Sequence, residues 1–220
     1  RYAALFESEE LRRALRNTLW LGAAAAAVAT AVAVAVVYAA HRLSGGWRRL
    51  AVLSDRVSFV VFALPGLVVG LALILAFSGG PLPLYGTVWI LLLAYVLRFG
   101  GVSVRTVTAR LAQIGVELEA AGAVAGLSRL RVIARIVLPL LAPALVGSAV
   151  LVFVNTVKEI SATSLLVSQG SETLAYEAYV RFQEGNYTQG SALSVATIAM
   201  VLALLGVSRW VSRRSEEGRR

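Results

Sequence analysis

Five stretches of this chain are apolar for about twenty residues at a time, and that length decides what the chain can fold into. At a rise of about 1.5 Å per residue, roughly twenty helical residues match the ~30 Å hydrocarbon layer of a bilayer. The blocks fall at residues 18–40, 57–77, 84–104, 139–157 and 191–210. None shows the alternating polarity of a membrane β-barrel strand. The sequence therefore predicts an all-α integral membrane chain of about five transmembrane helices, forming one domain over residues 1–220. Pro65-Gly66 predicts a kink in the second block. Arg98 lies near the end of the third, where its side chain is expected to snorkel to the interface.

The net charge of +9 is carried between these blocks. Basic residues flanking spans follow from membrane orientation, so the expected partner is membrane lipid and not nucleic acid. Arg42, Arg48, Arg49 and Arg56 follow the first block, and Arg105, Arg110, Arg129, Arg131 and Arg135 follow the third. Arg209, Arg213, Arg214, Arg219 and Arg220 fill the tail. Residues 78–86 carry no charge, and residues 161–190 set only Arg181 against Glu172, Glu177 and Glu184. The first group is expected in the cytoplasm together with the C-terminus, and the second outside, with 161–190 as a solvated external loop. Arg12, Arg13 and Arg16 then precede the first span on the disfavoured side, and a further span ahead of Arg1 restores the pattern.

The chain has no cysteine and one histidine, His41, which excludes disulfides and thiolate chemistry. It offers no catalytic constellation, no metal site and no cofactor motif. A Gly-rich lysine loop for cradling nucleotide phosphates is also missing, so ATP hydrolysis is not expected of this chain.

The segment EAAGAVAGLSRLRVIARIVLP, residues 119–139, is neither a span nor a plain loop. Small residues predict a short helix over 117–124, which Gly126 can end in a left-handed conformation. Ser128 suits the N-cap of a second helix over 129–137, and Pro139 the first turn of the next span. Leu130, Ile133, Ala134 and Val137 form an apolar stripe on a helix made basic by Arg129, Arg131 and Arg135. Such a piece lies on lipid or fits a groove on another protein, and its small residues favour the groove.

This segment resembles the signature loop of the permease subunits of ABC importers, whose pattern is Glu-Ala-Ala, a glycine, then Ile-x-Leu-Pro. Gly126, Ile136, Leu138 and Pro139 keep the family spacing, whereas the triplet position reads Ala120-Ala121-Gly122 and Glu119 comes one residue early. The resemblance implies a cytoplasmic coupling loop over 117–138 that docks in a cleft of an ATP-binding subunit. It also implies an extracytoplasmic substrate-binding protein, and a second permease unit that is another copy or the other half of a fused chain. The expected place is the bacterial inner membrane and the expected direction is import.

A second stretch, residues 155–180, places Asn155, Lys158 and Glu159 at the outer end of the fourth span. Lys158 and Glu159 point apart on a helix, and Asn155 is within helical reach of both. Charged groups at such depth are candidates for the translocation path. Lys158-Glu159, Ser161-Ala162-Thr163, Thr173-Leu174-Ala175, Leu64-Pro65-Gly66 and Asn17-Thr18-Leu19 resemble the ferric-iron branch of these permeases. That implies ferric iron as the substrate; permeases for thiamine, phosphonate and sulfate share much of the pattern. Tyr176, Tyr179, Glu177 and Glu184 offer hard oxygen ligands, but a loop that receives the binding protein is the expected role. A secondary transporter, the reading from another class, would show paired broken helices, and Pro65-Gly66 gives one break without a partner.

Overall fold

The computed structural model describes residues 8–43, 45–79 and 84–217, and among them it contains helices and no strand. α1 runs over Glu9–Arg42. Ser8 Oγ accepts from the Leu11 amide at 3.3 Å, and Glu9 and Glu10 in the first turn and His41 and Arg42 in the last match the helix dipole. Its buried face is rich in alanine (Ala14, Ala25, Ala26, Ala29 and Ala33), and this lets two neighbouring helices approach closely. Those neighbours are α4, Val88–Leu111, and α6, the continuous helix Arg129–Val157. A side chain at Gly22 would meet the Phe153 ring of α6.

The core of this three-helix arrangement is layered. One layer joins Leu21, Ala25 and Ala29 to Ile90, Leu91, Tyr95, Val152 and Phe153. A second joins Ala33, Val37 and Tyr38 to Val104, Val107, Leu111, Val137 and Leu141. Between them Thr30, Ser148 and Ser103, one from each helix, form a hydrogen-bonded chain of 3.3 and 2.8 Å. Interhelical bonds of this kind contribute on the order of 0.6 kcal/mol each in a bilayer.

Among the described residues four helices are long and apolar enough to cross a membrane: α1, α4, α6 and the first part of α9, over Tyr187–Gly206. The expected second span is different. It divides into α2, Gly46–Ala63, and α3, Gly66–Phe77. Pro65 has no N–H to donate and forces the residue before it out of helical geometry, so Leu64 is extended (φ −73°, ψ 142°). The predicted kink is thus a complete break. α3, at 12 residues, spans only about 18 Å, and α2 carries Arg48, Arg49 and Arg56 inside the helix instead of in a connection.

Other boundaries also moved. α1 starts nine residues before the apolar block and takes Arg12, Arg13 and Arg16 into the helix. α4 starts after Gly86 (φ 81°) and Thr87, and continues past Val104 through Arg105 and Arg110. α9 covers Tyr187–Glu217. The expected separate helix over 129–137 is instead the first part of α6. Arg129–Val132 is α-helical, Ile133–Val137 is a π-turn, and Leu138–Val157 is α-helical again. A π-turn is how a helix absorbs a residue of slack, and here it leads directly into Pro139, whose ring cannot sit over a regular preceding turn.

The remaining short elements are α5, Val116–Val124, α7, Thr163–Leu166, and α8, Leu174–Gln183. The uncharged connection over 78–86 lies partly outside the described residues, at 80–83, and so do Arg1, Arg219 and Arg220.

Candidate functional site

Two regions carry the polar chemistry. The first is the segment around α5. Its last turn closes with Ala125, Gly126 and Leu127 amides donating to Ala121, Ala123 and Gly122 carbonyls at 3.0 Å each, and Gly126 takes φ 82°. That left-handed residue turns the chain from α5 into α6, as its position predicts. Ser128 occupies the N-cap position in an extended conformation, but its hydroxyl makes no capping bond.

Gly122 and Ile136 lie against each other: a Cβ at Gly122 would come 2.7 Å from Ile136 Cδ1 and 3.2 Å from Val132 Cγ2. The glycine at the third triplet position therefore lets α5 lie flat on the base of α6. Ala120, Ala121 and Ala123 face outward, and Val124 and Leu130 are 91% and 78% exposed. Leu138 is half-buried and Pro139 exposed.

Glu119, three residues before Gly122 on the helix, shares its face of α5 and meets α1. Its Oε2 accepts from the Tyr38 hydroxyl at 2.8 Å, and its Oε1 is 2.8 Å from Arg42 Nε, both in the last turn of α1.

The second region is the turn after α6. Glu159 is 6% exposed and lies 2.6 Å from Arg98 Nη1; the same carboxylate oxygen accepts from the Ala162 amide at 2.8 Å, at the start of α7. Arg98 is ten residues into α4, roughly 15 Å along its axis and so near the middle of that helix. Its guanidinium is held by Glu159. Lys158 is exposed. The Asn155 amide donates to Leu151 O in its own helix at 2.8 Å. Gly66, at the break between α2 and α3, leaves no room for a Cβ beside the Arg98 guanidinium and Ser161. Tyr95 and Thr163, both fully buried, share a hydrogen bond of 2.7 Å beneath the ion pair.

The expected solvated loop over 161–190 is packed along much of its length. Ala162, Thr163, Leu166, Ser171, Thr173, Leu174, Ala175 and Ala178 are buried. Asn17 Nδ2 donates to Gly170 O at 2.9 Å and to Glu172 O at 3.0 Å, and the Leu174 amide donates to Thr18 Oγ1 at 2.9 Å. The motifs Asn17-Thr18 and Thr173-Leu174, with Thr18 and Leu174 156 residues apart in sequence, are thus one junction.

In α8, Arg181 lies 3.7 Å from Glu177 and from Glu10 of α1, and 3.3 Å from Glu184. Burial pushes the Glu177 carboxyl above the usual carboxylate range, against the pull of Arg181. Tyr179 accepts from Gln183 at 2.8 Å. Among the described residues no three or more His, Asp or Glu side chains are grouped to hold a metal ion. Sequence reasoning missed Tyr38 and Arg42, and the pairing of Arg98 with Glu159. The one available signal for Arg98 was that Glu159 lacked a partner within its own helix.

The family model described as "Binding-protein-dependent transport system inner membrane component" matches residues 32–220. The chain is 28% identical over 185 residues to a Salmonella choleraesuis protein named "Putative 2-aminoethylphosphonate transport system permease protein PhnV", covering 78% of this chain and 70% of that one. It is 32% identical over 156 residues to the ferric transport system permease protein FbpB of Actinobacillus pleuropneumoniae, covering 70% of this chain and 22% of the relative. The fold is shared with a chain of the bacterial alginate ABC transporter, solved in complex with an alginate pentasaccharide-bound periplasmic protein. The TM-score is 0.76 at 18% identity, covering 97% of this chain and 82% of that one.

Proposed function

We propose, from the premise that this chain belongs to the family of binding-protein-dependent transport system inner membrane components, that it is the permease subunit of an ATP-driven importer. The observation that carries this reading is the α5–Gly126–α6 corner. It presents Ala120, Ala121, Ala123, Val124 and Leu130 to the outside on a stiff support braced by Gly122 against Ile136. Exposed small and aliphatic side chains at a rigid helical corner suit a cleft on a protein better than lipid, which would be met by bulky anchors. In this reading the corner docks on a cytoplasmic ATP-binding subunit. ATP is hydrolysed there, and this chain performs no chemistry. The C-terminus lies on the same side as the corner.

The path for the substrate runs, in this account, beside the Arg98–Glu159 pair, where the break at Leu64–Pro65, the turn after α6 and α4 converge. Two permease units enclose it, and a binding protein delivers substrate to the opposite face. Ferric iron is the substrate we favour. Support comes from the Lys158-Glu159, Ser161-Ala162-Thr163 and Thr173-Leu174-Ala175 pattern and from the similarity to a ferric permease. 2-Aminoethylphosphonate is the second reading, supported by the similarity to a protein of that name and by a guanidinium in the middle of α4 that matches an oxyanion.

The test is a cysteine scan of the corner in membranes that hold the complete complex. Val124→Cys and Leu130→Cys are expected to cross-link to the ATP-binding subunit, and Leu75→Cys, exposed on α3, is not. Cross-linking from Leu75 alone would overturn the assignment of the docking corner.

A further inference from the structure

The last turn of α1 grips the coupling segment at three separate places. Before α5, Arg42 Nη2 donates to the Ile114 carbonyl at 2.6 Å. Within α5, Glu119 meets Arg42 Nε and the Tyr38 hydroxyl, each at 2.8 Å. Beyond Gly126, Arg129 Nη2 donates to the Arg42 carbonyl at 2.9 Å and its guanidinium lies over the Tyr38 ring, 5.9 Å from the centroid. The Arg42 and Glu119 side chains are each 15% exposed. A single exposed ion pair would contribute little. This cluster is half-buried and interlinked, and it satisfies a C-terminal helix carbonyl that has no partner within its own helix.

α1 runs for 34 residues, and it is also fastened nearer its other end. Asn17 and Thr18 hold the backbone of residues 170–174, about 30 Å from Tyr38 along the helix axis. That backbone continues from the turn that carries Glu159 and α7. One stiff element therefore connects the coupling segment to residues 170–174.

We infer that Glu119 is a positioning residue whose carboxylate faces inward and fastens the coupling segment to α1, so that displacement of the segment reaches Asn17 and Thr18. The one-residue shift of the acid from the triplet position has this consequence: residue 120 is an alanine on the outer face, and the carboxylate one step earlier on the helix turns about 100° toward α1. This inference rests on the coupling role proposed above.

The experiment uses the whole complex, this chain with its ATP-binding subunit and binding protein, in proteoliposomes. Radiolabelled ferric iron and 2-aminoethylphosphonate are each offered, and the probe that wild type moves is used. The quantity read is substrate moved per ATP hydrolysed. Glu119→Gln and Tyr38→Phe are each expected to lower it about fivefold or more, a coupling change of ordinary size, while the ATP-binding subunit still co-purifies. Asn17→Ala is expected to do the same, and Glu119→Gln with Asn17→Ala no worse than either alone, because both interrupt one route. Tyr38→Phe removes only a hydroxyl, so it serves if Glu119→Gln fails to accumulate. Wild-type yield per ATP in both variants overturns the inference. Loss of the ATP-binding subunit in Glu119→Gln but not Tyr38→Phe also overturns it, by showing that the acid faces the partner. Absence of that subunit from the wild-type preparation would overturn the proposed function itself.

Discussion

Arg98, in the middle of α4, and Glu159, just past the end of α6, meet at 2.6 Å, although 61 residues separate them in sequence. Neither charge has enough water around it to stand alone, and each explains the position of the other. The pair also fixes its surroundings: Glu159 Oε1 accepts the first amide of α7, and Gly66 closes over the guanidinium.

Removing one partner leaves the other charge buried and uncompensated, at a cost of about 3–5 kcal/mol. Arg98→Met and Glu159→Gln are each expected to lower the melting midpoint of the detergent-purified chain substantially. The double variant is expected to lose less than the sum of the two. Additive losses in the double-mutant cycle would show that the pair does not act as a unit.

The close approach of Gly122 to Ile136 predicts a size rule. Gly122→Val puts two methyl groups where Ile136 Cδ1 lies 2.7 Å from a bare Cβ, and overpacking of this kind costs roughly 1–3 kcal/mol. Transport is expected to fail in Gly122→Val and to recover in part with Ile136→Ala added, as uptake assays on matched membrane levels would show. No recovery would mean that the glycine serves the partner surface and not this contact.

Asn17→Ala leaves the half-buried carbonyls of Gly170 and Glu172 without their side-chain donor, each bond contributing about 0.5–1.5 kcal/mol. Limited proteolysis of the variant is expected to open the chain between α7 and α8 first. Cleavage rates equal to wild type there would argue that other contacts hold this segment.

Glu177 supplies a pH dependence with a definite sign. Its pKa is raised in the folded chain, chiefly by burial, so the folded state holds the proton more tightly than the unfolded one. Stability therefore falls as pH rises from the ordinary carboxylate range through the raised value, and is highest below it. Glu177→Gln is expected to flatten that part of the stability curve. An unchanged slope on pH titration of the melting midpoint would assign it to another group.

Local signals were read correctly where one residue type decides the geometry. Gly126 is left-handed, Pro65 interrupts its block, and the long apolar runs are helices. Helix extents were read too short. α4 continues past its apolar block through Arg105 and Arg110, because hydropathy falls there but no proline or other helix breaker intervenes. The packing of residues 162–175 was not legible, since its serines, threonines and glutamate have the composition of a solvated loop, yet Thr163, Ser171 and Thr173 are buried and the stretch is held by partners on α1 and α4. The inward turn of Glu119 depends in the same way on Tyr38 and Arg42, about 80 residues upstream, which no local pattern connects to it.

The most direct measurement is uptake into sealed vesicles that contain this chain, its ATP-binding subunit and its binding protein, with ATP supplied on the cytoplasmic side. Accumulation of ferric iron or 2-aminoethylphosphonate that requires hydrolysable ATP, and that continues after ion gradients are collapsed, is the result this account predicts. Accumulation that proceeds without ATP and stops when the gradients are collapsed would contradict it and identify a secondary transporter.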